Sequence, residues 1–494
     1  MVKNKFNIIL VLISLFAFSC TSKKEVPVKE TILARIGDKT ISKHEFIKRA
    51  EYTVRPGFLS GNSPVHKNII FNSLVAEKLV ALEYGDSSIT RSEDFFLGRL
   101  EQAMRIYLFE KEATQKVKID SNQINRLVKN STKQFDVSYV SIADSNSAAQ
   151  IQDSLFNYEK DFVELMQNNG LEEIPTRKVE WNFNEDSKIL DSLFLKDREP
   201  GDLVGPIEIS RNHYMFVLID NVNEQKIFTD DFVSRRRNEI VDKVRLTKAS
   251  EYYDHFIVDL MKEKSLEFND EVFYQLVEVL GPVYLKNQSN KENMVKNLYW
   301  GSEERGDLPK TNKEKMELIK EEKLFEIDGN VWTVKDVSNY INKHPLVFRR
   351  KKMKNEEFGH EFQKAIIDLV TDYYVTQEAY QRGYDQVNVV KREYNIWKDN
   401  LNFVYQRNKI LQSKKISGNL KSGKMNEIFS IMNPIVENLQ KKFADEIELN
   451  IEELDKIDLT NINLEVIQPS EAYPKVVPGF PVVTDLHSLN YGNK

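Results

Sequence analysis

Leu33-Ala34-Arg35-Ile36-Gly37-Asp38-Lys39-Thr40-Ile41-Ser42-Lys43-His44-Glu45-Phe46 has a counterpart far downstream, Leu324-Phe325-Glu326-Ile327-Asp328-Gly329-Asn330-Val331-Trp332-Thr333-Val334-Lys335-Asp336-Val337. Each reads as a short strand, a Gly-containing tight turn, a second short strand and a helix start. Ser42 and Thr333 are placed to cap the helix. Glu45 and Asp336 stand where a side chain reaches back to the N–H of the cap residue, Asp being the shorter and weaker partner. The likeness continues into apolar helical runs opened by Leu74-Val75 and Leu369-Val370, which end at Tyr84-Gly85-Asp86 and Gly383-Tyr384-Asp385. Glycine after such a run is a helix stop signal. Agreement in strand, turn, cap, helix and stop marks an internal repeat.

A length of 494 residues predicts about two to four domains. Apolar residues make up 41% and charged residues 30%, with both signs mixed, which describes solvated helix faces over real cores. A net charge of −6 argues against nucleic acid as the main partner.

The first residues read as an address. Lys3 and Lys5 precede an apolar run from Phe6 to Phe18, and Ala17-Phe18-Ser19-Cys20 follows. This is a signal peptide over 1–19 by charge, apolar length and a small residue before the cut. Cys20, the only cysteine, stands at the cut and resembles the lipidated cysteine of bacterial lipoproteins. No later stretch approaches the ~20 apolar residues of a membrane span. The expectation is a chain held by acyl groups in the cell envelope, on the periplasmic face of the outer membrane. A mature chain with no other cysteine fits an oxidising compartment and excludes structural disulfides and thiol catalysis.

Residues 20–31 read as a tether and 32–132 as a helical segment. A closing device, alternating apolar residues followed by an Asx cap and a helix, occurs three times: Val117–Leu127, Leu266–Phe273 and Ile447–Leu454. Between the first two lies a segment of different character, 133–224. There the order is strand (Phe135–Ile142), helix (Ser147–Met166), strand (Val179–Phe183), short helix (Ile189–Phe194), turn (Gly201–Pro206) and strands through Ile219, a small α+β domain. Residues 225–280 return to long amphipathic helix, 281–323 read as a linker, and 324–467 hold the second copy. The tail 468–494 carries Pro469, Pro474, Pro478 and Pro481. Its Val476–Val483 stretch is too apolar to be free, and is expected to dock on this chain or on a partner.

The opening motif, the helix order and the inserted α+β segment resemble SurA-type and parvulin-type periplasmic folding factors. The resemblance implies a mainly α fold with α+β: duplicated helical chaperone units and an inserted parvulin-like domain. Segments Ile32–Leu127 and Phe228–Leu276 would form the first chaperone unit. The family's catalytic histidines do not carry over: Ser141 and Tyr214 stand at the matching positions, and His213 is one residue off. In a strand, one residue off is the opposite face. Phe162, Trp181, Leu193-Phe194 and the Gly201–Pro206 turn survive as scaffold.

The seven histidines show no metal-ligand spacing, and neither a phosphate-cradling loop nor a nucleophile elbow is present. No metal and no cofactor are expected. Arg235-Arg236-Arg237 and Arg349-Arg350-Lys351-Lys352 read as solvated helix faces. Tyr373, Tyr380, Trp397 and Phe403 are the candidate client-binding aromatics, each weighed against a place in the core. The resulting expectation is a lipid-anchored folding chaperone that holds unfolded outer-membrane or exported proteins, its parvulin domain inactive. The alternatives are an active peptidyl-prolyl isomerase with an altered site, and an accessory subunit of an outer-membrane assembly or secretion complex.

Overall fold

The computed structural model describes residues 30–493, apart from 60, 62, 86–92, 211, 225–228, 300–309, 351, 417–424, 462–463 and 469–470, and apart from the side chains of 93, 286–299, 310 and 311. The signal peptide, Cys20 and most of the tether lie outside the described residues. The chain begins β1 (Ile32–Ile36), β2 (Lys39–Ser42), α1 (Lys43–Glu51), α2 (Pro64–Tyr84), α3 (Glu93–Glu112) and α4 (Ser121–Asn130). There follow β3 (Lys133–Ile142), α5 (Ser145–Gln152), α6 (Phe162–Asn168), β4 (Thr176–Glu180), α7 (Ser187–Phe194), β5 (Leu203–Ser210) and β6 (His213–Glu224). The next elements are α8 (Asp230–Leu260), β7 (Leu266–Phe268), α9 (Asp270–Tyr299), α10 (Lys310–Ile319), β8 (Lys323–Ile327) and β9 (Asn330–Thr333). The chain ends with α11 (Val334–Lys343), α12 (Asn355–Gln381), α13 (Asn388–Ser413), α14 (Met425–Lys442), β10 (Ile447–Leu449) and α15 (Ile451–Asp455). The fold is mainly helical with small antiparallel sheets.

Both copies of the opening stretch fold as a hairpin running into a helix. At the second, Asp328 and Gly329 both take positive φ, the backbone a two-residue hairpin turn demands. Each hairpin is completed by a strand from elsewhere in the chain. The first closing device forms no strand; Asp120 caps α4, and Ile124 and Leu127 of that helix are buried in the core of the inserted domain. The closing strand β7 pairs with β8, in the order β7-β8-β9. The last closing strand, β10, returns to β1, with Ala34 opposite Leu449 and Ile36 opposite Ile447. The pairing is therefore nested, outermost with outermost, and 225–280 does not complete the sheet of the first opener. All three closers show an apolar–polar–apolar edge, so local pattern leaves the choice to burial: Ile447 and Leu449 enter the same core as Leu33 and Ile36.

Contacts divide the chain into two units. Among the described residues, the first contains those before 91, Ile396–Ile467 and those from Lys475 on; the second contains those of Arg91–Asn395 and Gln468–Pro474. The core of the first joins β1, β2, α1 and α2 to Phe403, Leu411, Phe429, Met432 and Val436 of α13 and α14. Val483 and Leu489 belong to the same core, so the Pro-rich tail docks on its own chain.

In the second unit the inserted domain is a four-stranded sheet of order β4-β3-β6-β5. Phe135, Val137, Val217 and Ile219 on one face pack with α4, α7 and α8; Val140 and Phe216 on the other pack with α5 and α6. The single helix expected over Ser147–Met166 is instead α5, a π-turn at Asp153–Asn157 and α6, restarted by the Asp161 cap. The scaffold residues Phe162, Trp181, Leu193 and Phe194 are all buried. At Gly205 (φ +148°) a Cβ would stand 2.8 Å from the Phe216 ring and 2.9 Å from the Met215 carbonyl, an approach only glycine permits. Much of the expected linker 281–323 is helical: α9 runs through Pro282 to Tyr299, and α10 buries Ile319 in the core of β8, α9 and α12.

Candidate functional site

The inserted sheet is the first place to look for chemistry. Across β3 and β6, Ser141 pairs with Met215 and Ile142 with Tyr214. Paired residues share a face and neighbours alternate. Ser141 and Tyr214 therefore lie on opposite faces of one sheet and cannot line a common pocket. Ser141 is exposed, and Tyr214 is half-buried against the Val140–Phe216 core. His213 opens β6 opposite Ser210, exposed at the rim. No histidine pair faces a shared cleft on this sheet.

The candidate client-binding aromatics are accounted for inside the chain. Phe403 is fully buried and Trp397 nearly so; both are core residues, because α13 turns their faces inward. Tyr373 packs edge-on to Trp332 (5.1 Å between ring centroids), Tyr340 and Tyr374. The Tyr380 hydroxyl donates to Glu101 Oε1 at 3.0 Å. The basic runs are likewise occupied. Arg236 donates to the Trp181 carbonyl and stacks on its ring, and Arg349 grips Asp368 with two nitrogens.

Exposed apolar surface appears where single-residue reasoning did not look. Phe156, Tyr158 and Val163 are exposed around the π-turn of the inserted domain. A cleft of about 370 Å³ opens between the end of α4 and the start of α8, lined by Val128, Thr132, Thr229, Val233 and Arg236. Val233 is itself exposed, and Val258 and Tyr274 are exposed on α8 and α9. The sequence signal was an apolar residue out of phase with the buried stripe of its helix. Against 3.6-residue periodicity, one such residue reads as noise.

Two buried polar clusters were not legible as clusters. In the first unit Arg49 binds Glu77 bidentately at 2.8 Å with both side chains wholly buried. Lys78 lies 3.1 Å from Glu45 and 3.0 Å from Asp399, and Asn400 donates to Glu77. Burial pulls the Lys78 ammonium down, but Glu45, Asp399 and Glu77 outweigh it and hold the group above its ordinary value. For Glu45 burial dominates and pushes its carboxyl up, against the pull of Lys78 and Arg49.

In the second unit His344 Nε2 lies 2.6 Å from Glu101 Oε2, with Lys343 and Tyr380 on the other carboxylate oxygen. Burial lowers the imidazole below its ordinary value. Burial also raises the Glu101 carboxyl, but the bonds from His344 and Lys343 prevail and hold it below its ordinary value. The pair is thus a carboxylate accepting from a neutral imidazole protonated on Nε2. That tautomer leaves Nδ1 an acceptor, which is buried without a hydrogen-bond partner. The pair resembles a catalytic dyad only in outline, since His344 is 1% exposed and no substrate reaches it.

Among the described residues no group of three His, Cys, Asp or Glu side chains is arranged to hold a metal ion. Among them, no helix is long and apolar enough to cross a membrane. No protein-family model matches the chain, and neither does any curated protein.

Proposed function

We propose that the protein is a lipid-anchored folding chaperone of the cell envelope, which holds unfolded outer-membrane or exported chains by binding alone. In this reading its helical segments form two chaperone-type units, and the inserted α+β domain is a parvulin-like scaffold without isomerase chemistry. One observation carries it. The two positions where the resemblance puts catalytic histidines, Ser141 and Tyr214, lie back to back on the inserted sheet. The lipoprotein-like Cys20 supports the anchor, and the exposed apolar residues Phe156, Tyr158, Val258 and Tyr274 supply contact surface of the adaptable kind a chaperone needs.

The test is dilution of a urea-unfolded outer-membrane β-barrel protein into buffer with and without the purified chain, followed by light scattering. A proline-peptide isomerisation assay runs beside it. Suppressed scattering without isomerisation supports the reading. Unhindered aggregation, together with one envelope partner co-purifying at unit stoichiometry, replaces it with a fixed accessory subunit. Isomerisation that is lost on mutation of Ser141 or Tyr214 replaces it with the enzyme.

A further inference from the structure

Residues 478–490 run extended, with no helix or strand of their own. Two prolines, Pro478 and Pro481, contribute no N–H. The remaining main-chain groups still need partners when buried. Those partners are side chains. Arg49 Nη2 donates to the Gly479 carbonyl at 3.1 Å and Arg407 Nη1 to that of Val482 at 3.1 Å. Asn72 Nδ2 donates to both Leu486 O (2.7 Å) and Ser488 O (3.0 Å). At its end the segment bonds to the free edge of β10: Asn493 N–H to Ile447 O (2.7 Å) and Leu449 N–H to Asn493 O (2.8 Å).

The donors Arg49, Asn72 and Arg407 are buried, and Arg49 is anchored independently of the tail. Arg49 is held by both oxygens of Glu77. Arg407 is nearly fully buried and faces no carboxylate among the described residues; burial alone drops its guanidinium to about 10. A buried cation whose acceptors are one carbonyl and the neighbouring Asn408 is costly unless something occupies the groove. Side chains contribute mostly apolar fill: Val477, Val483 and Leu489 are buried, and Phe480, Leu486 and Tyr491 lie half-buried beside them. Three add hydrogen bonds: Thr484 donates to Asn433, Asp485 accepts from Asn433, and the Tyr491 hydroxyl donates to Asn72 Oδ1.

Most of this combination reads a backbone, at Gly479, Val482, Leu486, Ser488 and Asn493. Carbonyls at spaced positions are supplied by any residue, and apolar pockets accept many side chains. We infer that the groove formed by α1, α2, α13, α14 and the β10 edge is a peptide-binding site that the tail occupies in cis. Its external ligand is an extended, apolar, proline-punctuated segment like the tail itself, bound by main-chain hydrogen bonds and strand addition. A tethered occupant competes at an effective concentration on the order of millimolar, so the intact chain keeps the site masked. The identity of the ligand as an unfolded client rests on the chaperone reading; the groove itself does not.

The experiment uses the full chain with a protease site inserted after the exposed Asn461, cut while folded. A fluorescein-labelled peptide of residues 474–493 is then titrated by anisotropy. Saturable one-to-one binding is expected, displaced within about tenfold by a composition-matched scrambled peptide and not by a Gly-Ser peptide. Displacement only by the native tail sequence overturns the inference and makes the tail a fixed structural element, as does an absence of binding. In the uncut chain, N433C/D485C puts two cysteines at positions whose native side chains hydrogen-bond at 2.7 Å, and loss of free thiol on oxidation verifies that the cross-link has formed. Weak binding in the reduced form, at peptide concentrations that rival the tethered tail, and its loss on oxidation are expected; the same signal in both forms, including none, overturns the inference. Aggregation suppression by the same preparations separates the two claims. Suppression without peptide binding removes the groove and leaves the chaperone; binding without suppression does the reverse.

Discussion

The two hairpin–helix stretches share a sequence pattern and differ in where their cap residues end up. At the second, Thr333 accepts from the Asp336 N–H, and Asp336 Oδ2 takes the Thr333 N–H at 2.9 Å: a complete, exposed capping box. At the first, Ser42 caps the Glu45 N–H from a fully buried position. Glu45, the longer residue and the better box partner on paper, turns away to Lys78. The reason is burial. With α1 pressed into the core, a carboxylate is worth more beside a desolvated ammonium than on its own cap N–H, which a water or neighbour can satisfy. Local chemistry decides that a cap is present; its surroundings decide what the acid does.

The comparison can be broken at several depths. Phe403→Ala should cost about 3–5 kcal/mol, measured by urea unfolding, because a fully buried ring is removed from the first unit. A loss below about 1 kcal/mol would return Phe403 to the candidate surface residues. Glu77→Ala should cost about 3–5 kcal/mol, since it strands Arg49 in the core, whereas the double replacement R49M/E77L should recover most of that loss. If the double variant is as weak as the single, the ion pair is stabilising in its own right.

The caps give the direct contrast. Ser42→Ala should cost about 1.5–2 kcal/mol and Thr333→Ala about 0.5–1 kcal/mol, both within the usual range for caps, with the buried one at its upper end. Equal losses would mean that burial adds nothing to the cap.

The smallest effect is on pH. His344 and Glu101 both bind protons less readily in the folded chain than in the unfolded one. Stability then falls on acidification, first as pH drops below the ordinary histidine value of 6.5 and again below the ordinary glutamate value of 4.5. Arg105, Lys343 and Tyr340 also face the imidazole. Denaturation midpoints from pH 8 to 4 check this. His344→Gln should abolish the upper phase and leave the lower one.

Much of the local structure was legible in the residues. Both hairpins, the Ser42, Thr333 and Asp120 caps, the helical character of 32–132 and 225–280, and the strand–helix order of the inserted domain all follow from periodicity and end signals. The docking of the tail was legible from its apolar content, though not its address. The candidate site was barely legible. Trp397 and Phe403 look the same in sequence whether they face a groove or a core, and the opposed faces of Ser141 and Tyr214 depend on cross-strand register.

What the sequence determined by itself are the elements, because caps, turns and amphipathic periods are set by neighbours within a few residues along the chain. Which closing strand completes which hairpin was settled only by the tertiary structure. Val117–Ile119, Leu266–Phe268 and Ile447–Leu449 offer near-equivalent edges, and each goes where its apolar residues find a core: the first to none as a strand, the second to β8, the third back to β1. Long-range burial breaks a tie that local pattern leaves open. The same step brings Glu45, Arg49, Glu77, Lys78 and Asp399 together, and lays the C-terminal segment across the donors of Arg49, Asn72 and Arg407.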